Sequence, residues 1–97
     1  MIPYSFHPEA DAELEEATLF YESRLVGLGK SFAAEVERMV SLIREFPDAG
    51  AKVDIDRRRV VVDRFPYSIV YRRDPDSIII VAVAHQRRRS RYWRGRN

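Results

Sequence analysis

One stretch constrains the fold of this chain more than any other: Ser77-Ile78-Ile79-Ile80-Val81-Ala82-Val83-Ala84-His85. Seven successive residues in it are apolar, and the enrichment in isoleucine and valine favours a strand over a buried helical segment. A strand without polar alternation needs cover on both faces, so the run predicts a central strand. Ile79, Val81 and Val83 are bulkier than Ala82 and Ala84. The bulkier row is expected to face the core, which also aims His85 toward whatever packs there.

The preceding residues supply neighbours for that strand. Arg57 to Arg64 reads as a strand centred on Val60, Val61 and Val62. Phe65-Pro66 interrupts it, because proline has no N–H to give to a ladder. Tyr67, Ile69 and Tyr71 then alternate with Ser68, Val70 and Arg72, the pattern of a half-buried strand. Asp74-Pro75-Asp76 is a turn, since proline pre-sets the dihedral at its second position. Near the start, Pro3-Tyr4-Ser5-Phe6 is short and alternating and suggests an opening strand.

Between these strands the period changes. From Glu9 to about Arg24, residues Ala10, Leu14, Ala17, Tyr21 and Leu25 recur at the spacing of one helical face. Pro8 suits the first turn, Glu9, Asp11 and Glu13 match the positive end of the helix dipole, and Arg24 matches the negative end. Val26-Gly27-Leu28-Gly29 breaks the helix. A second helix from about Lys30 to Glu45 carries Phe32, Val36, Met39, Val40 and Ile43 on one side, and Phe46-Pro47-Asp48 closes it. So short a connection predicts an antiparallel helical hairpin. The order is β-α-α-β-β-β, an α+β fold: a mostly antiparallel sheet with the N-terminal helical hairpin on one face and a basic C-terminal tail. Residues 48–56 are the one longish irregular connection.

The 97 residues suit a single domain spanning 1–97, above the roughly 70–80 residues below which a core needs staples. Cysteine is absent, which excludes disulfides, zinc–thiolate sites and thiol nucleophiles. No apolar run approaches the roughly 18 residues of a membrane span, and Met1-Ile2-Pro3-Tyr4 lacks the pattern of a signal peptide. A cytoplasmic address without membrane contact is expected. The glycines form neither a P-loop nor a dinucleotide fingerprint, and two distant histidines make no zinc motif. No metal, small-molecule cofactor or metabolic chemistry is expected.

Charge points elsewhere. Residues 1–56 carry five basic and twelve acidic side chains, a net of −7; residues 57–97 carry twelve arginines against Asp63, Asp74 and Asp76, a net of +9. Such asymmetry suggests an acidic or polyanionic partner for the basic half. Six of the twelve residues in 86–97 are arginine, interleaved with Tyr92 and Trp93. Guanidinium forks match phosphate and aromatic faces stack on bases, so Arg57, Arg58, Arg59, Arg88, Arg89, Arg91, Trp93 and Arg94 are candidates for binding nucleic acid or a protein partner. The plainer readings are a flexible basic tail, or an aromatic pair that packs back on the sheet; Trp93 is expected to anchor in the fold, with the arginines facing solvent or a partner. His85, Arg87 and Tyr92 would supply base, cation and acid for metal-free phosphodiester cleavage. A histidine bonded to backbone is the alternative for His85, and His7 reads as a residue that merely opens a helix. Glu13, Glu15 and Glu16 read as a solvated helix face.

Arg64-Phe65-Pro66-Tyr67-Ser68-Ile69-Val70-Tyr71, Ile80-Val81-Ala82-Val83-Ala84-His85, Arg87-Arg88 and Tyr92-Trp93 resemble the RelE/ParE superfamily of bacterial type II toxins. Phe6-His7-Pro8-Glu9-Ala10, Tyr21-Glu22 and Phe46-Pro47 resemble its N-terminal hairpin, so the likeness runs in order through nearly the whole chain. The resemblance implies a growth-inhibiting, plasmid-stabilising toxin, encoded beside an antitoxin that wraps and neutralises it. RelE-like members cleave mRNA in the ribosomal A site with basic residues and a C-terminal tyrosine, a role that would fall to Arg64, His85, Arg87 and Tyr92. ParE-like members lack that set and poison DNA gyrase without catalysis. The nuclease arginine that follows the aromatic of the third strand is Ser68 here, and an ungapped match sets Trp93 rather than Tyr92 on the catalytic tyrosine. The ParE-like reading is therefore favoured over the ribosome-dependent ribonuclease, with a non-toxic binding module as the remaining option. The antitoxin is expected to bring an acidic, partly apolar segment to the arginine-rich face.

Overall fold

The computed structural model describes residues 1–97. Helix α1 (Pro8–Arg24) starts where the His7 Nδ1 accepts the Glu9 N–H at 3.1 Å, with Pro8 in its first turn and Glu9 and Asp11 beside it. Ala10 and Ala17 are buried on its inner face, and Leu14 and Tyr21 pack partly against the same core. Leu25, expected on that face, is 64% exposed. The helix ends at Arg24 and Leu25 is already extended, so the helical period no longer carries it inward.

Helix α2 (Leu28–Glu45) follows a sharp reversal at Gly27, whose φ of 89° lies in the left-handed region that favours glycine. Gly27 has no side chain with which to cap the helix. Glu22, from the last turn of α1, does so instead: its two carboxylate oxygens accept the N–H groups of Gly27 at 2.8 Å and Gly29 at 3.0 Å. Those hydrogen bonds, the Gly27 one foremost, hold the Glu22 carboxyl below its usual pKa range. Phe32, Val36, Met39, Val40 and Ile43 are all buried, as their spacing predicts.

The sheet has five strands: β1 (Tyr4–Phe6), β2 (Ala51–Lys52), β3 (Arg57–Val61), β4 (Tyr67–Arg73) and β5 (Ile78–His85), in the spatial order β1-β5-β4-β3-β2. β1 pairs with β5 in parallel and every other pair is antiparallel. The architecture is α+β, with one strand more than the sequence pattern implied. Two residues of the irregular connection, Ala51 and Lys52, pair with Arg59 and Arg58 as a strip along the outer edge. β3 stops at Val61 rather than Arg64, because Val62 turns its N–H to the Tyr67 carbonyl and Arg64 takes a left-handed φ of 68°.

β5 sits between β1 and β4 and is covered on both sides. Val70 pairs with Ala82 and Tyr71 with Ile80, so Val81 is an extra residue, a β-bulge. The bulge changes which residues face which layer. Ile78, Ile80 and Val83 join Ile69, Tyr71 and the helices in the larger core, while Val70, Val81, Ala82 and Ala84 pack with Trp93 on the far face. The expected row of Ile79, Val81 and Val83 is thus divided between layers. β4, expected to be half-buried, is buried from Ser68 through Tyr71 because the tail covers its second face. At one corner the rings of Tyr21, Phe32, Phe65 and Tyr67 pack together, with Phe65 edge to face on Tyr21 and Phe32 and the tilted Phe32–Tyr67 pair 4.9 Å apart between centroids.

Candidate functional site

The site is built by the segment that follows β5. Trp93 is 5% exposed and packs on Val70, Val81, Ala82 and Ala84. Arg57 lies against the same ring, with its guanidinium carbon 5.5 Å from the ring centroid. Arg57 also donates to the Arg96 carbonyl at 2.7 Å and faces Asp54 and Asp56 at 3.6 and 3.5 Å. Trp93 and Arg57 therefore hold the tail on the sheet. The Trp93 ring has no open face for a base to stack on.

Glu13 holds the other side of the tail. β1 reaches only as far as Ile80 along the edge of β5, so the next backbone groups need other partners. Glu13 Oε1 accepts the Val83 N–H at 3.0 Å, and Arg96 donates to the Val81 carbonyl at 3.0 Å. Arg96 further donates to both Glu13 oxygens at 2.8 and 3.0 Å, and the Tyr92 hydroxyl donates to Glu13 Oε2 at 2.6 Å. Burial first, and the Glu13 carboxylate second, push the Tyr92 hydroxyl well above the ordinary tyrosine range. Glu13 is no part of a solvated face: its side chain is 15% exposed. Its position gave a usable signal, since it lies three residues after Ala10 and four before Ala17, on the buried stripe. Glu15 and Glu16 are exposed.

What remains open is a groove of about 390 Å³ on the sheet face away from the helices. Arg59 enters it from β3, and Arg88, Arg89 and Arg91 from the tail, over a floor that includes Ser68, Val70 and Ala84. None of its thirteen lining residues is acidic. Of the candidate catalytic residues, His85 and Tyr92 line this groove and Arg64 and Arg87 do not. Arg64 lies across the β3–β4 turn, 3.8 Å from Glu35 of α2. Arg87 is exposed, and its backbone N–H donates to His85 Nδ1 at 3.0 Å, so that nitrogen is committed to the backbone. His85 also borders a second hollow, beside Glu16, Ala17 and Tyr21 of α1, where its ring meets Tyr67 edge to face at 5.0 Å.

The remaining binding candidates separate by role. Arg58 donates to the Asp48 and Gly50 carbonyls at 3.2 and 2.8 Å and ties the irregular connection to β3. Arg88 lies 3.8 Å over the Tyr92 ring and 4.0 Å from Glu13. Arg94 is exposed and enters no ion pair. No group of three or more His, Asp or Glu side chains is placed to hold a metal ion, and no helix is long and apolar enough to cross a membrane.

The fold and the arginine groove can be set beside known proteins. Residues 4–90 match the family model of the ParE toxin of type II toxin-antitoxin system, parDE. This chain belongs to the ParE toxin family. It is the toxin component of a type II toxin–antitoxin module, in keeping with the resemblance read from its second half, and its partner is a cognate antitoxin. Among solved structures, a chain described as "Chromosomal ParDE TA system from P. aeruginosa" superposes with a TM-score of 0.73 at 19% identity, over 88% of this chain and 96% of that one. At that identity the match speaks to the fold. No curated protein matches the chain.

Proposed function

We propose that this ParE-family toxin acts in the cytoplasm and arrests growth by poisoning DNA gyrase, without catalysing a reaction of its own. The observation that carries this reading is the Tyr92–Glu13 hydrogen bond of 2.6 Å. A general acid works best with a pKa near the operating pH, and Tyr92 is moved in the opposite direction by burial and by the carboxylate that holds its proton. The other parts of a ribonuclease set are also dispersed. Arg64 faces Glu35 outside the groove, and the groove floor carries Ser68 where the nucleases carry an arginine.

Two assays in parallel test the proposal: supercoiling by DNA gyrase, and integrity of mRNA on translating ribosomes, each with purified toxin. Inhibited supercoiling with intact message is expected. Cleaved message with unimpaired gyrase would reinstate the ribonuclease, with His85 and Arg87 as the first residues to replace. Expression without antitoxin that leaves a susceptible host growing would instead favour a binding module.

A further inference from the structure

Two groups of arginines in the second half of the chain contrast with each other. Arg57, Arg58, Arg72 and Arg96 are spent on the structure, each bound to carboxylates or carbonyls within the chain. Arg59, Arg89 and Arg91 enter no ion pair, and the fold gathers them with Arg88 around one concave surface. Gathering four like charges, of which only Arg88 has a carboxylate near it (Glu13 at 4.0 Å), is unfavourable for the isolated protein. The arrangement becomes favourable once an anion fills the groove. The groove is also held in shape, because Arg59 stands on a paired strand and the tail is fixed by Trp93, Tyr92 and Arg96.

We infer that this groove binds the phosphate backbone of duplex DNA. Guanidinium forks match phosphate oxygens, and the small floor residues Ser68 and Ala84 let a backbone approach closely. The aromatic residues argue against a single strand. Stacking normally supplies roughly 1–3 kcal/mol per base in single-strand sites. Here Trp93 is buried and the Tyr92 ring is covered by Arg88, so no ring is left to receive a base. Contact falls on phosphates alone, which favours the higher charge density of a duplex and gives no sequence preference. This assignment stands independently of the gyrase reading, although a gyrase poison that grips DNA would be held where its target works.

Fluorescence anisotropy of the full-length toxin with a labelled 20-base-pair duplex, repeated over a range of KCl concentrations, tests it. Four arginine–phosphate contacts predict a slope of log K against log salt of about −3.6, or a loss of about 150-fold between 50 and 200 mM salt. Scrambling the sequence should change nothing, and the single strand of the same sequence should bind more weakly. Arg59→Ala with Arg89→Ala should move the slope to about −1.8. The conservative pair Arg59→Lys and Arg89→Lys should keep it near the parent, and Arg73→Ala, on an exposed arginine outside the groove, should leave it unchanged. Circular dichroism of each variant separates loss of contact from loss of fold. No duplex binding, or a slope indifferent to Arg59 and Arg89, overturns the inference. So does preference for a polyglutamate peptide, which would assign the groove to an acidic protein segment. Gyrase poisoning by a toxin that fails to bind duplex would sink this inference and leave the proposed function standing.

Discussion

Glu13 accepts hydrogen bonds from three residues, through the Val83 N–H of β5 and, in the tail, the Tyr92 hydroxyl and the Arg96 guanidinium. Removing it leaves Arg96, whose side chain is 9% exposed, without its nearest counter-charge. Glu13→Ala should therefore cost about 3 kcal/mol in urea unfolding, the scale of a buried pair broken from one side. Glu9→Ala removes a carboxylate that is 67% exposed and 3.7 Å from Arg96, and should cost less than about 1 kcal/mol. Equal losses for the two would show that Glu13 does not hold the tail. The tyrosines give a second expectation. Burial raises the pKa of Tyr21, Tyr67, Tyr71 and Tyr92 in the folded chain, while unfolded tyrosines ionise near pH 10. The folded state then binds more protons than the unfolded one above about pH 10. Their contribution to stability is complete below that pH and is lost as pH rises further. Unfolding followed from pH 8 to 11, with tyrosinate absorbance read alongside, should show stability falling only in the upper part of the range. A flat profile would contradict it. At this scale the sequence was legible for Trp93, readable as an anchor from its place after an apolar strand. It misled for Glu13, because an acid within a run of acids reads as solvated even when helical spacing sets it on the inner face.

The two helices approach each other closely at Gly29. A Cβ there would run into the Thr18 carbonyl and lie 2.9 Å from the Glu22 Cβ, whereas one at Gly95 would meet nothing within 4 Å. Gly29→Ala should lower stability by about 1–3 kcal/mol through overpacking of the hairpin. Gly95→Ala should change it by roughly 0.5 kcal/mol or less. Thermal melts of the pair decide the matter, and equal midpoints would mean that the helices separate without cost. Both helices were readable from period alone, because α2 carries five buried apolar side chains in unbroken register. The strands were harder. β2 is two residues long and exposed, too short for any alternation to show. The bulge at Val81 shifts the facing of β5 by one residue, and a parity rule applied to the full run cannot detect such a shift. Nor could the pattern of β4 reveal that a segment some twenty residues later would return to cover it.

For the molecule as a whole, residues 57–97 carry a net charge of +9, and Arg59, Arg89 and Arg91 in the groove have no acidic lining residue beside them, so the sheet face presents a positive field. Association with the cognate antitoxin should be steered by that field. Stopped-flow association rates should fall by about tenfold or more from low salt to 500 mM, with dissociation much less affected. A rate indifferent to salt would show that the basic half does not guide the encounter. The sheet has a further consequence through its order, β1-β5-β4-β3-β2. β5 lies between β1 and β4 but is made after both, and the Glu13–Arg96 pair joins positions 83 apart in the chain. Early segments of the nascent polypeptide thus wait for the late ones before their backbone groups are satisfied. A translation product released before Ile78 has neither a middle to its sheet nor a groove. The cationic groove therefore comes into being only at the end of synthesis.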